Sequence, residues 1–542
     1  MKKILTVFAA IAITGSLMAG GLVTNTNQSA RFTRFLSRNA SFGIDAVYYN
    51  PAGLSRLGDG LYLSLNNQTI GQSKSILNNY TYLGGSPKEY LGDVNAPLFP
   101  GAYLAFNTGR WSFSAGFNPI GGGGGATYDT GLPSFEMGIA DLVPLLMGQG
   151  ITATQYDADI FFEGSSIYFG YQGNVGFKIN DMLSIAAGVR LVTAKNTYNG
   201  HLKNIQVNPN YPAFGASYTG GMVLASDFFT DGAETLNGLA AGAIQYVSGL
   251  QQIVLGGGGS LLLTNGAAAG LSPTQIAQIQ GIIGAAGMNP AGLTIEQAQG
   301  ILGQAGPGFT AKANSMIGYA AATQDILVEA GETGSGYTPI ISVNFSPTKR
   351  LNFAVKYEFQ TTLELTQTVT DNKGGGIFEE GRKVKADMPA MLAVGFEYNP
   401  FDKLLVSGSM NMYMDKKVDY DGSDLVDINM IDKNSSEYAF ALEYGLTDKL
   451  RASAGWLGTF TGVNLNYQND LRYSLNTNSF GGGFGYRVNK MLDINLGGMY
   501  TLYQEGTKSF DYMLGENAIP VVETYNKSAW IVAIGLDIYL GR

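Results

Sequence analysis

The chain holds one histidine, His201, and no cysteine, so imidazole and thiolate chemistry have almost nothing to work with. A Ser-His-Asp hydrolase would have to use His201. That residue stands in NGHLKN, at the outer end of a predicted strand, with no nucleophile motif beside it. One imidazole without thiolates does not make a zinc site. The glycine runs Gly121–Gly125 and Gly256–Gly259 lack the Lys-Ser/Thr that a phosphate loop needs. The stretch DYDGSDLVD gathers Asp419, Asp421, Asp424 and Asp427, but Gly422 comes too early for a Ca²⁺ loop and Met430 stands where the bidentate Glu belongs. It reads as a solvated outer loop, with divalent bridging to lipopolysaccharide as the alternative. No catalytic residue, cofactor or metal is expected, and the chain reads as a non-enzyme.

Composition points away from a soluble domain. Charged residues make up 14 % of the chain, against about 25 % in ordinary soluble domains. The 75 Gly, 31 Tyr and 28 Phe suit long strands with aromatic girdles and glycine bends. A net charge of −9 leaves no basic face for nucleic acid. The opening MKKILTVFAAIAITGSLMAGG has the charged, apolar and small-residue order of a secretory signal. Its apolar run is shorter than the ~20 residues a spanning helix needs.

Period-two alternation dominates the body of the chain. In MLSIAAGVRLVTA, Leu183, Ile185, Ala187, Val189 and Leu191 share one face, and Ser184, Ala186, Gly188 and Arg190 share the other. LNFAVKYEFQ alternates likewise from Leu351 to Gln360. Strands are predicted near 59–71, 98–108, 110–119, 164–179, 182–200, 336–346, 349–366, 384–399, 402–417, 434–446, 449–460, 473–488, 491–505 and 526–540. That is about fourteen, an even number as outer-membrane barrels require. Short turns (Thr108–Arg110, Asn180–Asp181, Ser346–Thr348, Asn399–Phe401, Thr447–Asp448, Asn489–Lys490) alternate with long loops (72–97, 120–163, 201–335, 367–383, 418–433, 461–472, 506–525). Short periplasmic turns and long outer loops are the outer-membrane pattern. The fold class is therefore an all-β transmembrane antiparallel barrel.

Two regions depart from plain strands. Residues 21–58 carry Phe32, Phe35, Leu36, Phe42, Ile44, Val47, Tyr48 and Tyr49, too apolar for a free tail. They enter from the periplasmic end, where the lumen is the place to bury them. The rigid turn Asn50-Pro51-Ala52-Gly53 closes this plug just before strand one. The same four letters recur at Asn289–Gly292, where they precede a helix start. The second region is a Gly/Ala-rich insert at 201–335, between strands five and six. Ser272-Pro273-Thr274-Gln275 and Thr294-Ile295-Glu296-Gln297 read as capping boxes. Ile276, Ile279, Ile282 and Ile283 continue at helical spacing, as do Met316, Ile317, Ala320 and Ala321, so the insert reads as a helical extracellular cap. The domains are thus a signal peptide at 1–20, a hatch at 21–58 and a barrel at 59–542.

Asn118-Pro119, followed by Gly121, Gly122 and Gly123, ends the third strand. Proline cannot donate to a ladder, so the strand should kink or lose pairing there. A gap between strands lets an apolar solute leave into lipid without crossing water.

These stretches resemble the FadL/TodX family of outer-membrane transporters for long-chain fatty acids and hydrophobic compounds. The resemblance runs through AGGLVTNTNQSARFTRFLSRNASFGIDAVYYNPAGL, WSFSAGFNPIGGGG, YTPIISVNFSPTKRLNFAVKYEF, DMPAMLAVGFEYNPFDKLLVSGSMNMY, SSEYAFALEYGLTDKLRASAGW and the last two hairpins. It implies a 14-stranded barrel, a hatch ending at Asn50-Pro51-Ala52, an outer hydrophobic groove and a side opening at the third-strand kink. The family holds ligand carboxylates with basic lumen residues. The nearest matches here are Lys195, His201 and Lys203 on strand five and Lys416 and Lys417 on strand nine. Expected partners are hydrophobic small molecules (fatty acids or hydrocarbons), outer-membrane lipid and lipopolysaccharide. The barrel-assembly machinery would read Gly535, Ile538 and Leu540 near the chain end. The function expected is passive uptake of hydrophobic molecules across the outer membrane. The alternative is a structural or adhesive barrel that binds a surface partner through its insert.

Overall fold

The computed structural model describes residues 22–373, 378–418 and 427–540. The expected signal peptide, Asp419, Asp421 and Asp424 of the acidic loop, and Gly541-Arg542 lie outside them. The chain divides into two compact units.

The first unit is a closed antiparallel barrel of 14 strands with an N-terminal hatch in its lumen. In the hatch, α1 spans Ala30–Arg34 and α2 spans Ala46–Tyr49. The strands are β1 (Gly60–Asn78), β2 (Lys88–Thr108), β3 (Trp111–Tyr128), β4 (Tyr156–Lys178), β5 (Leu183–Val207), β6 (Ile326–Thr348), β7 (Leu351–Glu358 and Glu364–Lys373) and β8 (Lys383–Lys385 and Met391–Phe401). Then come β9 (Leu404–Tyr413), β10 (Ser435–Gly445), β11 (Leu450–Phe460), β12 (Thr477–Asn489), β13 (Leu492–Tyr503 and Gly506–Leu514) and β14 (Asn517–Leu540). Strand β1 pairs with β2 on one side and with β14 on the other, from Leu61↔Leu540 to Asn78↔Glu523, so the sheet closes on itself.

The barrel is inside-out relative to a soluble protein. Outward positions carry exposed apolar and aromatic groups: Phe113, Val175, Ile185, Val189, Val343, Phe353, Phe440, Phe484, Val532 and Ile534. Inward positions carry buried polar ones: Asn66, Gln172, Asn174, Arg190, Asn344, Lys356, Glu358, Glu437 and Asn495. Alternation along each strand forces this sorting, since neighbouring side chains point to opposite faces. None of the described helices is long and apolar enough to cross a membrane.

The strands run further outward than the loop pattern predicts. β2 begins at Lys88 and β4 at Tyr156, β1 continues to Asn78, and 506–525 forms a hairpin instead of a loop. In the outer half of β2 the inward side stays buried at Tyr90, Gly92 and Val94, while Glu89, Asp93 and Asn95 face out. Apolar alternation stops there, but ladder hydrogen bonds do not depend on it.

The second unit comprises 138–159 and 202–325. Two short helices, α3 (Pro133–Ala140) and α4 (Leu142–Gly148), precede β4, and the longer helices of the second unit are α5 (Ala225–Ile253), α6 (Pro273–Ala285) and α7 (Ile295–Ala322). Both capping boxes form, at Ser272/Gln275 and Thr294/Gln297. The helical part is narrower than 201–335, because β5 continues to Val207 and β6 starts at Ile326. On α7, Met316 and Ala320 are buried whereas Ile317 and Ala321 are not, since a four-residue step keeps to one face and a one-residue step leaves it.

Candidate functional site

The hatch lies buried or half-buried at every position from Leu22 to Leu54. Its local structure follows from sequence. Ser29 caps α1 by accepting from the Phe32 amide at 3.0 Å. A residue before proline is pushed out of the helical region, so α2 ends at Asn50, whose φ is −151°. Pro51 opens a 3₁₀ turn, Pro51–Arg56, where its missing N–H costs nothing.

The turn is pinned to three strands. Asn50 Nδ2 donates to Asn344 Oδ1 on β6 at 2.8 Å and to the Ser41 carbonyl at 3.2 Å. The Ala52 amide donates to Ser342 Oγ at 3.0 Å, and Ser184 Oγ on β5 donates to the Ala52 carbonyl at 2.7 Å. Asn107 Nδ2 on β2 donates to the Leu54 carbonyl at 2.7 Å. Gly53 is required by space: a Cβ there would stand 2.3 Å from Asn50 Nδ2 and 2.8 Å from the Ser41 carbonyl. Further back, Arg38 reaches Asp45 with Nε at 2.9 Å and Nη2 at 2.8 Å. Burial alone would push the Asp45 carboxyl up, but Arg38 beside it, with Arg31 behind, holds it well below the usual carboxylate range. Arg34 pairs with Glu443 on β10 and donates to Asn495 Oδ1 on β13 at 3.0 Å.

The wall beside the hatch is incomplete between β2 and β3. Their pairing runs from Thr108↔Trp111 to Ala102↔Phe117 and resumes only at Asp93↔Thr127. Over that interval β3 turns inward, and Asn118 to Gly124, Gly123 included, are all buried. Its pairing with β4 slips between Pro119 and Gly121 and again between Gly121 and Gly124. Gly122 (φ 92°) and Gly124 (φ 67°) adopt left-handed backbone, which favours glycine. The hatch occupies the freed edge. Thr24 bridges Gly121, the Asn25 amide donates to the Ile120 carbonyl at 2.8 Å, and Asn118 Nδ2 donates to Gln28 Oε1 at 2.6 Å. A Cβ on Gly121 would lie 2.4 Å from the Val23 carbonyl.

On β2 the facing stretch is APLFPG. Pro97 and Pro100 have no N–H to offer β3, and Leu98 is 75 % exposed. The sequence reading placed Pro97 in a loop and Pro100 in a strand and passed over the pair, although a proline inside a predicted strand is itself a signal of broken pairing.

Against Tyr48 of the hatch, Arg190 on β5 grips Glu358 on β7 with both terminal nitrogens, at 2.7 and 2.9 Å. Lys356 Nζ donates to Glu358 Oε1 at 2.7 Å and to the Tyr48 carbonyl at 2.8 Å. Both cations lie over the Tyr48 ring, 4.9 Å and 4.4 Å from its centroid. Two buried cations thus share one carboxylate against the hatch.

No family model and no curated protein sequence matches the chain. Solved structures do. A Pseudomonas aeruginosa FadL homologue matches with a TM-score of 0.57 at 14% identity, over 96% of this chain and 99% of its own. The chain has the FadL fold. The Pseudomonas putida toluene transporter TodX matches at TM-score 0.49 and 11% identity, over 96% of this chain and 100% of its own. The Ralstonia pickettii toluene transporter TbuX matches at 0.46 and 15%, over 95% and 98%. The resemblance read from the hatch and strand order holds at the level of the fold.

In this FadL-type barrel the basic residues expected to line the lumen do not. Lys195 is exposed on the outward face of β5, and His201 shares that parity and stacks on Phe161 at 5.6 Å. Lys203 is half-buried on the same face of the strand. The inward positions of β5 are the even-numbered ones, Ser184 to Leu202, with Arg190 among them. Strand β9 stops at Tyr413, so Lys416 and Lys417 fall in an exposed 3₁₀ turn, where Lys416 Nζ donates to the Asp432 carbonyl at 3.0 Å. Arg190 and Lys356 hold the inward positions instead. The signal for Arg190 was present, since it sits on the polar face of an alternating strand.

Proposed function

We propose that this chain is an outer-membrane channel for passive uptake of hydrophobic molecules, long-chain fatty acids or hydrocarbons. The solute enters the lumen from outside, displaces the hatch and leaves sideways between β2 and β3. The observation that carries this reading is the unpaired interval of the wall, 94–101 facing 118–126, with hatch residues Val23 to Gln28 seated along it. The apolar outer face of the barrel supports its seat in a bilayer. A lateral exit keeps an apolar solute out of water along its whole path.

The hatch is seated but not fully satisfied. Asn25, Asn27 and Asn50 each bury a side-chain oxygen without a partner among the described residues. Each such group costs about 1–3 kcal/mol, which lowers the cost of displacing the hatch. Glu358 neutralises one of two cations at Arg190 and Lys356, and the remaining charge gives a ligand carboxylate a partner. A signal peptide, insertion by the assembly machinery and contact with lipopolysaccharide complete the proposal.

Uptake of radiolabelled oleate and toluene by cells with the wild-type chain, with Gly121→Val or with no copy tests it. Wild type should exceed the empty strain several-fold. Gly121→Val, which drives a side chain into the Val23 carbonyl, should change uptake while the barrel still folds, as read by heat-modifiable gel migration. Equal uptake by wild-type and empty strains sinks the transport reading.

A further inference from the structure

A cavity of about 220 Å³ opens at the short-turn end of the barrel, with room for several waters or one small organic molecule. Its mouth is the turn between β6 and β7, where Thr348, Lys349 and Arg350 are exposed. Short turns face the periplasm in outer-membrane barrels. Ser346, Asn352 and Glu397 line it as buried residues and form its floor. One side belongs to the hatch. Phe42 and Arg56 are half-buried there, with the Arg56 guanidinium carbon 6.0 Å from the Phe42 ring centroid.

The polar groups of the floor are satisfied unequally. Asn352 Nδ2 donates to the Ala40 carbonyl at 3.0 Å and to Asn344 Oδ1 at 2.9 Å, and Asn352 Oδ1 accepts from Ser346 Oγ at 2.6 Å. Glu397 is 7% exposed, and its one partner among the described residues is Arg38 Nη1, 3.4 Å from a single carboxylate oxygen. That is longer than an ordinary N–H···O bond, and Arg38 is held more closely by Asp45. At the mouth the imbalance has the opposite sign. Arg350 is taken by Asp402 at 2.8 Å and by the Pro400 carbonyl at 2.9 Å. Arg56 and Lys349 form no ion pair among the described residues. Asp181, whose charge reaches Arg56, is itself paired with Lys178 at 2.8 Å.

We propose that this cavity binds a small zwitterion of amino-acid size from the periplasm, its ammonium on Glu397 and its carboxylate between Arg56 and Lys349, and that occupancy holds the hatch seated. The charges sort by depth, a carboxylate at the floor and two cations toward the mouth. A plain acid leaves Glu397 without a donor, and a plain amine leaves both cations unmatched; a ligand with both groups satisfies each end. Phe42 offers an apolar wall to a short side chain. Phe42 and Arg56 belong to the hatch, whereas Lys349 and Glu397 belong to the wall. A ligand that needs all four binds only the seated hatch and stabilises it by mass action. The site lies apart from the interval between β2 and β3, and its occupant is a regulator, not the transported solute.

The test titrates the full chain in detergent with norleucine, hexanoate and pentylamine, which carry similar alkyl chains and differ in charge. Norleucine should bind about tenfold more tightly than either of the others, the scale of one hydrogen bond to a charged group. Arg56→Gln with Lys349→Gln should weaken norleucine by about the same factor and leave heat-modifiable migration unchanged. Glu397→Gln should bring the affinity for norleucine down to that for hexanoate. Bound norleucine should slow hydrogen exchange across residues 39–57 in wild type and not in the double variant. Absence of saturable norleucine binding overturns the proposal. Hexanoate or pentylamine binding as tightly as norleucine overturns the zwitterion, and undiminished affinity in the double variant overturns the seat of its carboxylate. Hatch exchange that ignores bound norleucine overturns the coupling. All of these are read on purified protein, so a chain that takes up neither oleate nor toluene defeats the uptake reading and leaves this one standing.

Discussion

The letters Asn-Pro-Ala-Gly occur twice, and the two copies do opposite things. Asn50–Gly53 is buried throughout, and its backbone and side chains bond to β5 and β6. At the second copy Asn289, Ala291 and Gly292 are exposed, and Asn289 Oδ1 accepts from the Ala291 amide at 3.0 Å, a self-contained turn before α7. Glycine is needed in both for different reasons. Gly53 has no room for a Cβ, whereas Gly292 has nothing within 4 Å but a φ of 73°. Identical local chemistry becomes a plug fastening in one setting and a loop in the other, because only the first is enclosed by a barrel wall.

The buried copy depends on the ion pair that holds the hatch behind it. Arg38→Met leaves Asp45 buried without its main partner and should cost the hatch about 3–5 kcal/mol, seen as fast proteolysis near 22–58 in an intact barrel. Protection equal to wild type would show that the hatch does not depend on this pair. Acid should act through the same contact. The Asp45 carboxyl is depressed when the hatch is seated, so its contribution is present above the unfolded value, about 3.9, and is lost as pH falls below it. Hydrogen exchange of the hatch should rise below about pH 4, and exchange around Asn289–Gly292 should show no such trend.

Smaller changes sharpen the contrast. Gly53→Ala should destabilise the seated hatch by about 1–3 kcal/mol through overpacking and alter oleate uptake. Uptake identical to wild type would make this glycine incidental to gating. Asn50→Ala with Pro51→Ala should shift uptake without loss of heat-modifiable migration, and loss of assembly would mean that the turn is structural. At the other copy, Gly292→Ala should cost about 1 kcal/mol from left-handed strain, and Asn289→Ala about 0.5 kcal/mol, the scale of a solvent-exposed hydrogen bond. Neither should move uptake, and a change as large as that of Gly53→Ala would join the two copies functionally.

Much of the architecture is legible in the chain itself. Alternation and turn spacing foretell the barrel, the apolar content of 21–58 its hatch, and Ser272/Gln275 and Thr294/Gln297 the starts of α6 and α7. These are short-range signals, written within a few residues of where they act. The basic residues are not placed correctly by the same reasoning. Lys195, His201, Lys203, Lys416 and Lys417 lie near an expected position, but a one-residue step on a strand reverses the face.

What the sequence determined by itself is therefore the period, the polarity and the punctuation of the chain, because these depend only on neighbours. Closure of the barrel decided the rest. It sets Arg190 against Glu358 and Lys356 from a distant hairpin, lays Val23 to Gln28 along the unpaired interval of β2 and β3, and gathers Phe42, Arg56, Lys349 and Glu397 around one cavity. Register between strands far apart in the chain carries no local signature, and it is register that turns single polar residues into sites.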